Sequence, residues 1–292
     1  MKNYKNKVAV ITGGASGVGL SLGRFLAKEG AKVALADIEE DALDNAANLL
    51  NEEGLNVKTY VTNVAELDSI KDLSNSVNND LGNVHLLFNN AGIAPQEASF
   101  PLWDLSINDW EWAFKVNVWG VIHGIKVFVP LMLAHGEEAR VINTCSGNGV
   151  LVTYPSTPIY ATTKSSVATI SEALYFQLLS LQASIGVSIL FPGPHVVETG
   201  LYGSERNRPE NLAQESEPVF KIESLEAMKE MVSSMGKELK TTHPDEVAKF
   251  CLNGIKDDKY WLMPDNPESD KSYKDFVDSL LNRTNPDIPD LF

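Results

Sequence analysis

Two cysteines, Cys145 and Cys251, are all that 292 residues contain. They are too few for a disulfide framework and lack the spacing of metal ligands. His85, His123, His135, His195 and His243 are scattered and form no HExxH-like pair, so no metal site is expected. Positive charge is also short: 24 Lys and Arg stand against 39 Asp and Glu, a formal net charge of −15. A surface this acidic repels nucleic acid and anionic membrane, and neither is expected as a partner. Its plainer consequence is solubility. Residues 1–7 pass straight into Val8-Ala9-Val10-Ile11, an apolar run far too short for a signal h-region or a membrane span. Together with the free thiols, this makes a cytoplasmic location the expectation.

What is present suits a folded core, with 43% hydrophobic and 22% charged residues and no internal repeat or low-complexity tract. Short β-branched runs at 7–12, 32–36, 58–61, 86–89, 140–144 and 186–191 are mostly continuous in apolar character, as parallel strands buried on both faces require. Helical periodicity fills the intervals at 19–29, 41–53, 66–81, 107–133 and 159–181. Alternation of this kind predicts an α/β fold with a doubly wound parallel sheet of Rossmann type, one domain over 1–292.

After Phe191 the rhythm breaks. Residues 194–243 are polar, carry Pro194, Pro209 and Pro218, and hold a run of charges from Glu205 to Glu217. Met228, Met231, Val232 and Met235 suggest an amphipathic helix near the end of that segment. Little apolar burial offsets its ordering entropy, so the segment is expected to be a mobile substrate lid. A helix should start at Pro244, capped near Thr242 or His243, with a last strand at 259–263. A C-terminal helical extension and Pro-rich tail should occupy 265–292.

The first strand ends in Thr12-Gly13-Gly14-Ala15-Ser16-Gly17-Val18-Gly19. Glycines let the backbone approach a pyrophosphate, and the helix that follows presents free N–H groups and its positive dipole end to it. Such turns also serve plain strand–helix packing. Two features favour the dinucleotide: the turn joins a strand to a helix, and Asp37 closes the second strand eighteen positions after Gly19. A carboxylate there accepts bonds from the adenosine ribose and repels a 2′-phosphate. Ile38, Glu39 and Glu40 follow without a cation, so NAD is expected rather than NADP.

Tyr160 and Lys164 are spaced i, i+4 on a long helical pattern, which sets them one turn apart on one face. An ammonium beside a phenol lowers its pKa, and such a phenol can exchange a proton with a substrate oxygen. The pair alone is common on exposed helices. Ser146 adds weight, because it lies just past a strand at the carboxyl edge of the sheet, though a turn serine would also suit Ser146-Gly147-Asn148-Gly149. Cys145 reads either as a reactive thiol or as a small buried residue; the second is commoner.

The combination Thr12-Gly13-xxx-Gly17-x-Gly19, Asn89-Asn90-Ala91-Gly92, Asn117, Ser146, Tyr160-xxx-Lys164 and Pro192-Gly193 resembles the short-chain dehydrogenases/reductases over about residues 5–200. The resemblance implies that Tyr160 is the general acid/base, Lys164 lowers its pKa and holds the nicotinamide ribose, and Ser146 orients the substrate oxygen. Asn117 would support a water-linked proton relay. Gly13, Ser16, Gly17, Val18 and Gly19 would cradle the diphosphate, with Asp37 and Ile38 at the ribose and Asn63 and Val64 at the adenine. Asn90, Ala91 and Gly92 would lie beside the cofactor. Pro192 and Gly193 would lead over the nicotinamide, with Val196 and Thr199 near its carboxamide. Tyr154, His195 and Tyr202 would face the substrate, and a homodimer or homotetramer is implied.

The chain departs from the family pattern in places. Ser146 precedes Tyr160 by one position more than is common, Asn63 stands where many members have Asp, and the stretch from Gly193 to Thr199 is longer than usual. The C-terminal end, Asp257-Asp258-Lys259-Tyr260-Trp261-Leu262-Met263-Pro264 and the helix beyond, resembles the longer bacterial members that act on aryl secondary alcohols. The expected activity is therefore NAD-dependent interconversion of a secondary alcohol and a ketone, with a bulky or aromatic small-molecule substrate. A hydroxysteroid or 3-oxoacyl-type reductase, or a non-catalytic dinucleotide sensor, are the alternatives; sensors of this fold usually lose the tyrosine or the lysine, and both are present. Among the nearby tryptophans, Trp103, Trp110 and Trp112, the last two are expected to pack rather than to line the site.

Overall fold

A computed structural model describes residues 1–289. β1 (Val8–Thr12) leads into α1 (Gly17–Lys28), β2 (Lys32–Asp37) into α2 (Glu40–Glu52), and β3 (Val57–Val61) into α3 (Leu67–Asp80). β4 (Val84–Asn89) is followed by α4 (Ile107–Ala113), a π-helical turn (Phe114–Trp119) and α5 (Gly120–His135). Then come β5 (Ala139–Thr144), α6 (Pro158–Ser180), β6 (Ile185–Leu190) and β7 (Val196–Val197). The chain closes with α7 (Leu225–Ser234), β8 (Thr241–Thr242), α8 (Pro244–Lys256), β9 (Trp261–Leu262) and α9 (Pro267–Asn282).

Seven strands form one parallel sheet in the order β3-β2-β1-β4-β5-β6-β9. The central strands are apolar along their length because helices cover both faces: every residue of β1 and β4 is buried. Against one face α1, α2 and α8 pack Leu22, Leu26, Leu43, Leu50 and Ile255. The other is covered by α3, α5 and α6 through Ile70, Leu73, Phe128, Met132, Leu174 and Leu178. The strand order reverses between β1 and β4, and the crevice beyond the carboxyl ends of the strands opens there.

Four elements differ from the pattern read in the sequence. The helix expected over 107–133 is interrupted by the π-helical turn at 114–119, which contains Asn117; such turns recur at functional sites. The run Ile107–His135 contains an 18-residue stretch of mean hydropathy 1.6 and is, by length and composition alone, long and apolar enough to cross a membrane. Here, however, nearly half of that stretch is buried inside the protein. The last strand is two residues long, since only Trp261 and Leu262 align with Ile189 and Leu190. β7 and β8 have no counterpart in the sequence pattern: Val196 and Val197 pair in parallel with Thr241 and Thr242 and tie the two ends of the 194–243 segment together.

Within that segment lie short 3-10 turns at Gly200–Asn207 and Glu210–Leu212, then α7, whose Leu225, Met228 and Val232 are buried. The His243 ring caps α8, its Nδ1 accepting the Asp245 N–H at 3.1 Å, and Pro244 takes the first helical position. α9 falls inside the expected extension, and the last residues of the expected tail, 290–292, lie outside the described residues.

Candidate active site

The loop after β1 packs backbone against backbone. Gly13 has φ +63°, and a Cβ there would stand 2.8 Å from the Cα of Ala91, so only glycine fits. Asn90 holds three strand ends together: its Nδ2 donates to the carbonyls of Thr12 (3.1 Å) and Gly13 (3.3 Å), and its Oδ1 accepts the Thr144 hydroxyl at 3.2 Å. Among the described residues, no side chain of the N-cap residue Ser16 bonds the first turn of α1. The leading N–H groups of that helix, with its dipole, are therefore available to an anion.

Asp37 ends β2 beside this loop, its carboxylate accepting from Ala15 N (3.1 Å) and Glu39 N (3.3 Å). Burial raises its pKa, and those backbone bonds pull the other way. Ile38 is exposed next to it. Past β3, Asn63 Oδ1 accepts the Ala65 N–H at 3.1 Å, and buried Val64 packs on Gly120 with its carbonyl on His123 Nδ1 at 2.9 Å. Glycine loop, free helix end and ribose-side acid fit a dinucleotide laid across the switch point.

At the end of β5 the chain passes through Thr144 and Cys145 to Ser146. Pro158 starts α6, so Tyr160 lies in its first turn and Lys164 one turn on. Lys164 is buried, donates Nζ to the Thr144 carbonyl at 3.1 Å, and stands 5.5 Å from the centre of the Tyr160 ring. Ser146 lies close enough to the Tyr160 side chain to lower its pKa. Burial is the largest influence on both titrating groups. It raises Tyr160, with Tyr202 and Cys145 adding to the rise and Ser146 opposing it, and it lowers Lys164. The lowering of the phenol expected from its lysine neighbour is not seen: burial dominates, and Ser146 rather than Lys164 opposes it. Asn117 is buried, its Oδ1 accepting from Ile93 N (2.8 Å) and its Nδ2 donating to Ile93 O (3.0 Å) and Thr163 Oγ1 (3.1 Å). Cys145 is buried with its thiol on the Lys164 carbonyl, and burial pushes it up to about 11, an inert thiol.

The 194–243 segment comes down on this constellation. The side chain of Thr199 lies against Gly17, where a Cβ would stand 2.8 Å from its Cγ2. Tyr202, pushed up to about 12 by burial, is close enough to Tyr160 to act on its titration. Ser204 exchanges both hydrogen bonds with the Ala94 backbone (3.0 and 3.1 Å). An open cleft of about 560 Å³ borders Gly17, Thr199, Arg206, Ser224 and Lys229. A second, of about 280 Å³, borders Gln96, Tyr202, Gln214, Lys221 and Glu223.

Residues 7–209 match the family model described as short chain dehydrogenase. The chain belongs to the short chain dehydrogenases. It is 28% identical to the "CLA biosynthesis dehydrogenase/reductase" of Lactiplantibacillus plantarum over 291 residues, 99% of this chain and 98% of that protein. Among solved structures, a short chain dehydrogenase/reductase from Burkholderia phymatum in complex with NAD superposes with a TM-score of 0.89 at 33% identity, covering all of both chains. The apo form of LigO from Sphingobium sp. strain SYK-6 superposes with a TM-score of 0.75 at 27% identity, over 97% of this chain and 90% of that one.

In this dehydrogenase the residues singled out from the sequence divide into two groups. Ser146, Tyr160, Lys164, Asn117, Asn90 and the glycine loop gather at the carboxyl ends of β1, β4 and β5, and Thr199 and Tyr202 reach them from outside. Val196 instead belongs to the β7–β8 ladder, and the N–H of His195 donates to Thr242 Oγ1 at 3.1 Å. Tyr154 is half-buried in the loop leading into α6, where burial raises its pKa. Pro192 and Gly193 follow β6 and its continuation Phe191.

Several residues here carry no sequence signal. Glu97 accepts the N–H groups of Ile159 and Tyr160. Arg206 meets Glu39 with bonds of 2.6 and 3.0 Å. Arg208 meets buried Asp109 at 2.6 Å while its guanidinium lies 4.3 Å over Trp112. Each pair joins positions 60 residues or more apart, and no local spacing marks them.

Proposed function

We propose that this dehydrogenase uses NAD to interconvert a secondary alcohol and a ketone, with a bulky or aromatic substrate. The observation that carries the reading is Tyr160, with Ser146 close enough to act on its titration and the Lys164 ammonium 5.5 Å from its ring centre, beside a glycine loop at the switch point of the sheet. The NAD-bound relative, alike over its whole length, supports the cofactor, as does Asp37 at the end of β2. Bound NAD supplies the acceptor for the hydride that leaves the alcohol carbon, or returns it as NADH. The protein's part is the proton. Tyr160 takes it from the alcohol oxygen on oxidation and returns it to the ketone oxygen on reduction, while Ser146 holds that oxygen in place. Burial keeps the phenol protonated and ready to donate; for the oxidative direction, a neighbouring ammonium such as Lys164 favours the phenolate. Asn117 anchors the Ile93 loop to α6 and, with it, the site's inner wall.

The 194–243 segment is the proposed lid. Tyr202 would give the substrate an aromatic face, and Gln96, Gln214 and Lys221 would offer polar anchors beyond it. Exposed apolar residues on the outer sides of α5 and α6, Leu131, Leu133, Phe176 and Leu179, suit assembly with further copies of the chain.

Two measurements test this reading. NAD reduction with a panel of aryl, alicyclic, steroid and acyl-type secondary alcohols should give the highest kcat/KM with the aryl members. Tyr160→Phe should fold and bind NADH, read by fluorescence, while turnover falls about 10²–10⁴-fold with the loss of the proton-transfer group. Near-normal turnover in Tyr160→Phe would refute the assignment.

A further inference from the structure

Glu97 is a carboxylate where none is expected. It sits in the loop after β4, is 1% exposed, and aims both oxygens at the start of α6. Oε2 accepts the Ile159 N–H at 2.6 Å and Oε1 the Tyr160 N–H at 3.0 Å. Among the described residues, the helix's own cap residue, Thr157, makes no side-chain bond to that turn. A residue 62 positions away therefore caps the helix, and one of the two N–H groups it holds belongs to Tyr160 itself.

Ionised, the carboxyl has an acceptor for each N–H and sits at the positive end of a helix dipole. Protonated, it keeps one good acceptor and turns an O–H towards the other N–H, donor against donor. From this geometry we propose that Glu97 is a positioning residue: its carboxylate fixes the first turn of α6, and so the direction of the Tyr160 phenol, and protonation releases that hold. The proposal rests on the reading of Tyr160 as the proton-transfer group.

The charges around Glu97 set the pH at which this happens. Burial pushes Glu97 up to about 7, the two N–H bonds pull it down, and Asp109 on α4 pushes it up. Asp109 is in turn paired with Arg208, which also holds Glu205. Glu97 is thus ionised above about pH 7 and neutral below it. Turnover should fall as pH drops through that region.

The test has two arms. In nitrogen-labelled protein, the amide protons of Ile159 and Tyr160 should shift together with a midpoint near pH 7, and in Glu97→Gln they should not titrate there. In steady-state alcohol oxidation, kcat should show an acid limb near the same pH. Glu97→Gln should lose that limb, with kcat at pH 8 lower by about tenfold and KM for NAD little changed; Glu97→Asp should keep the limb. Wild-type amides that do not titrate between pH 5.5 and 8.5 overturn the proposal, and so does a Glu97→Gln enzyme with the wild-type kcat and limb. A failure of Tyr160 as the proton-transfer group would appear separately, as retained turnover in Tyr160→Phe.

Discussion

Three charges meet at the end of β2, where the adenosine ribose of NAD is proposed to lie. Asp37 points at the glycine loop, Glu39 follows it, and Arg206 arrives from the 194–243 segment and binds Glu39 through two nitrogens. A cation so placed would favour a 2′-phosphate, but Glu39 occupies it and Asp37 repels the phosphate. Two negative groups about 4 Å apart repel by roughly 1–4 kcal/mol, which at about 1.4 kcal/mol per decade spans about one to three orders of magnitude in preference. Asp37→Ser should therefore raise kcat/KM for NADP relative to NAD. Asp37→Ser with Glu39→Gln should raise it further by freeing Arg206. If Asp37→Ser leaves the ratio unchanged, that residue does not face the ribose. Glu97 contributes a second prediction with a definite sign. Its folded pKa, about 7, lies above the ordinary 4.5, so the folded protein binds the proton more tightly. Stability from this group is greatest below about pH 4.5 and declines as pH rises to about 7, by about 3 kcal/mol at 1.36 kcal/mol per unit. Glu97→Gln lacks that decline, so its Tm minus that of the wild type should grow more positive from pH 5 to pH 8. A difference that stays constant would show that the fold does not raise the Glu97 pKa.

At the scale of elements, the 194–243 segment departs most from what its composition suggests. So polar a segment promises little burial, yet its charges find partners inside. Arg208 and Asp109 are both nearly inaccessible, with Trp112 beneath the guanidinium, and Gln96 grips both the N–H and the carbonyl of Ile222 at 2.8–2.9 Å. Removing one partner of a buried pair strands the other, at a cost of about 3–5 kcal/mol. Arg208→Ala should lose stability of that order, and hydrogen exchange should quicken across 200–214 while β1, β4 and β5 stay protected. Unchanged exchange at 200–214 would mean that the pair does not anchor this segment. The contrast shows what kinds of element a sequence reveals. The strands of the sheet and the helices around it follow from apolar runs and 3.6-residue periodicity, and the Tyr160–Lys164 pair and the glycine loop follow from spacing along a few residues. The π-helical turn is hidden inside an unbroken apolar run, β7 and β8 are too short to carry a pattern, and Glu97, Arg206 and Arg208 act on partners that only folding brings near.

At the scale of the whole molecule, an acidic chain must reconcile its charge with exposed apolar faces. α5 and α6 bury Phe128, Met132, Leu174 and Leu178 in one core, so both cover the same face of the sheet. Their outer sides leave Leu131, Leu133, Phe176 and Leu179 in water. Burying such surface in a second copy is favourable in proportion to its area. Against this stands a formal charge of −15 on each chain, which opposes any close approach of copies. The repulsion is long-ranged and screened by salt, with a Debye length of about 30 Å at 0.01 M and about 8 Å at 0.15 M; the apolar contact is not weakened by such screening. Assembly should therefore tighten as salt rises over that range, the reverse of an interface held by ion pairs. Sedimentation at micromolar concentration should show a dimer or tetramer that dissociates more readily at 0.01 M salt. Leu179→Arg, placing charge on an exposed side chain away from the sheet, should shift the protein towards monomer without lowering its helix content. A wild-type chain that stays monomeric at every salt concentration, or a Leu179→Arg chain that assembles as before, would place the subunit contact elsewhere or remove it.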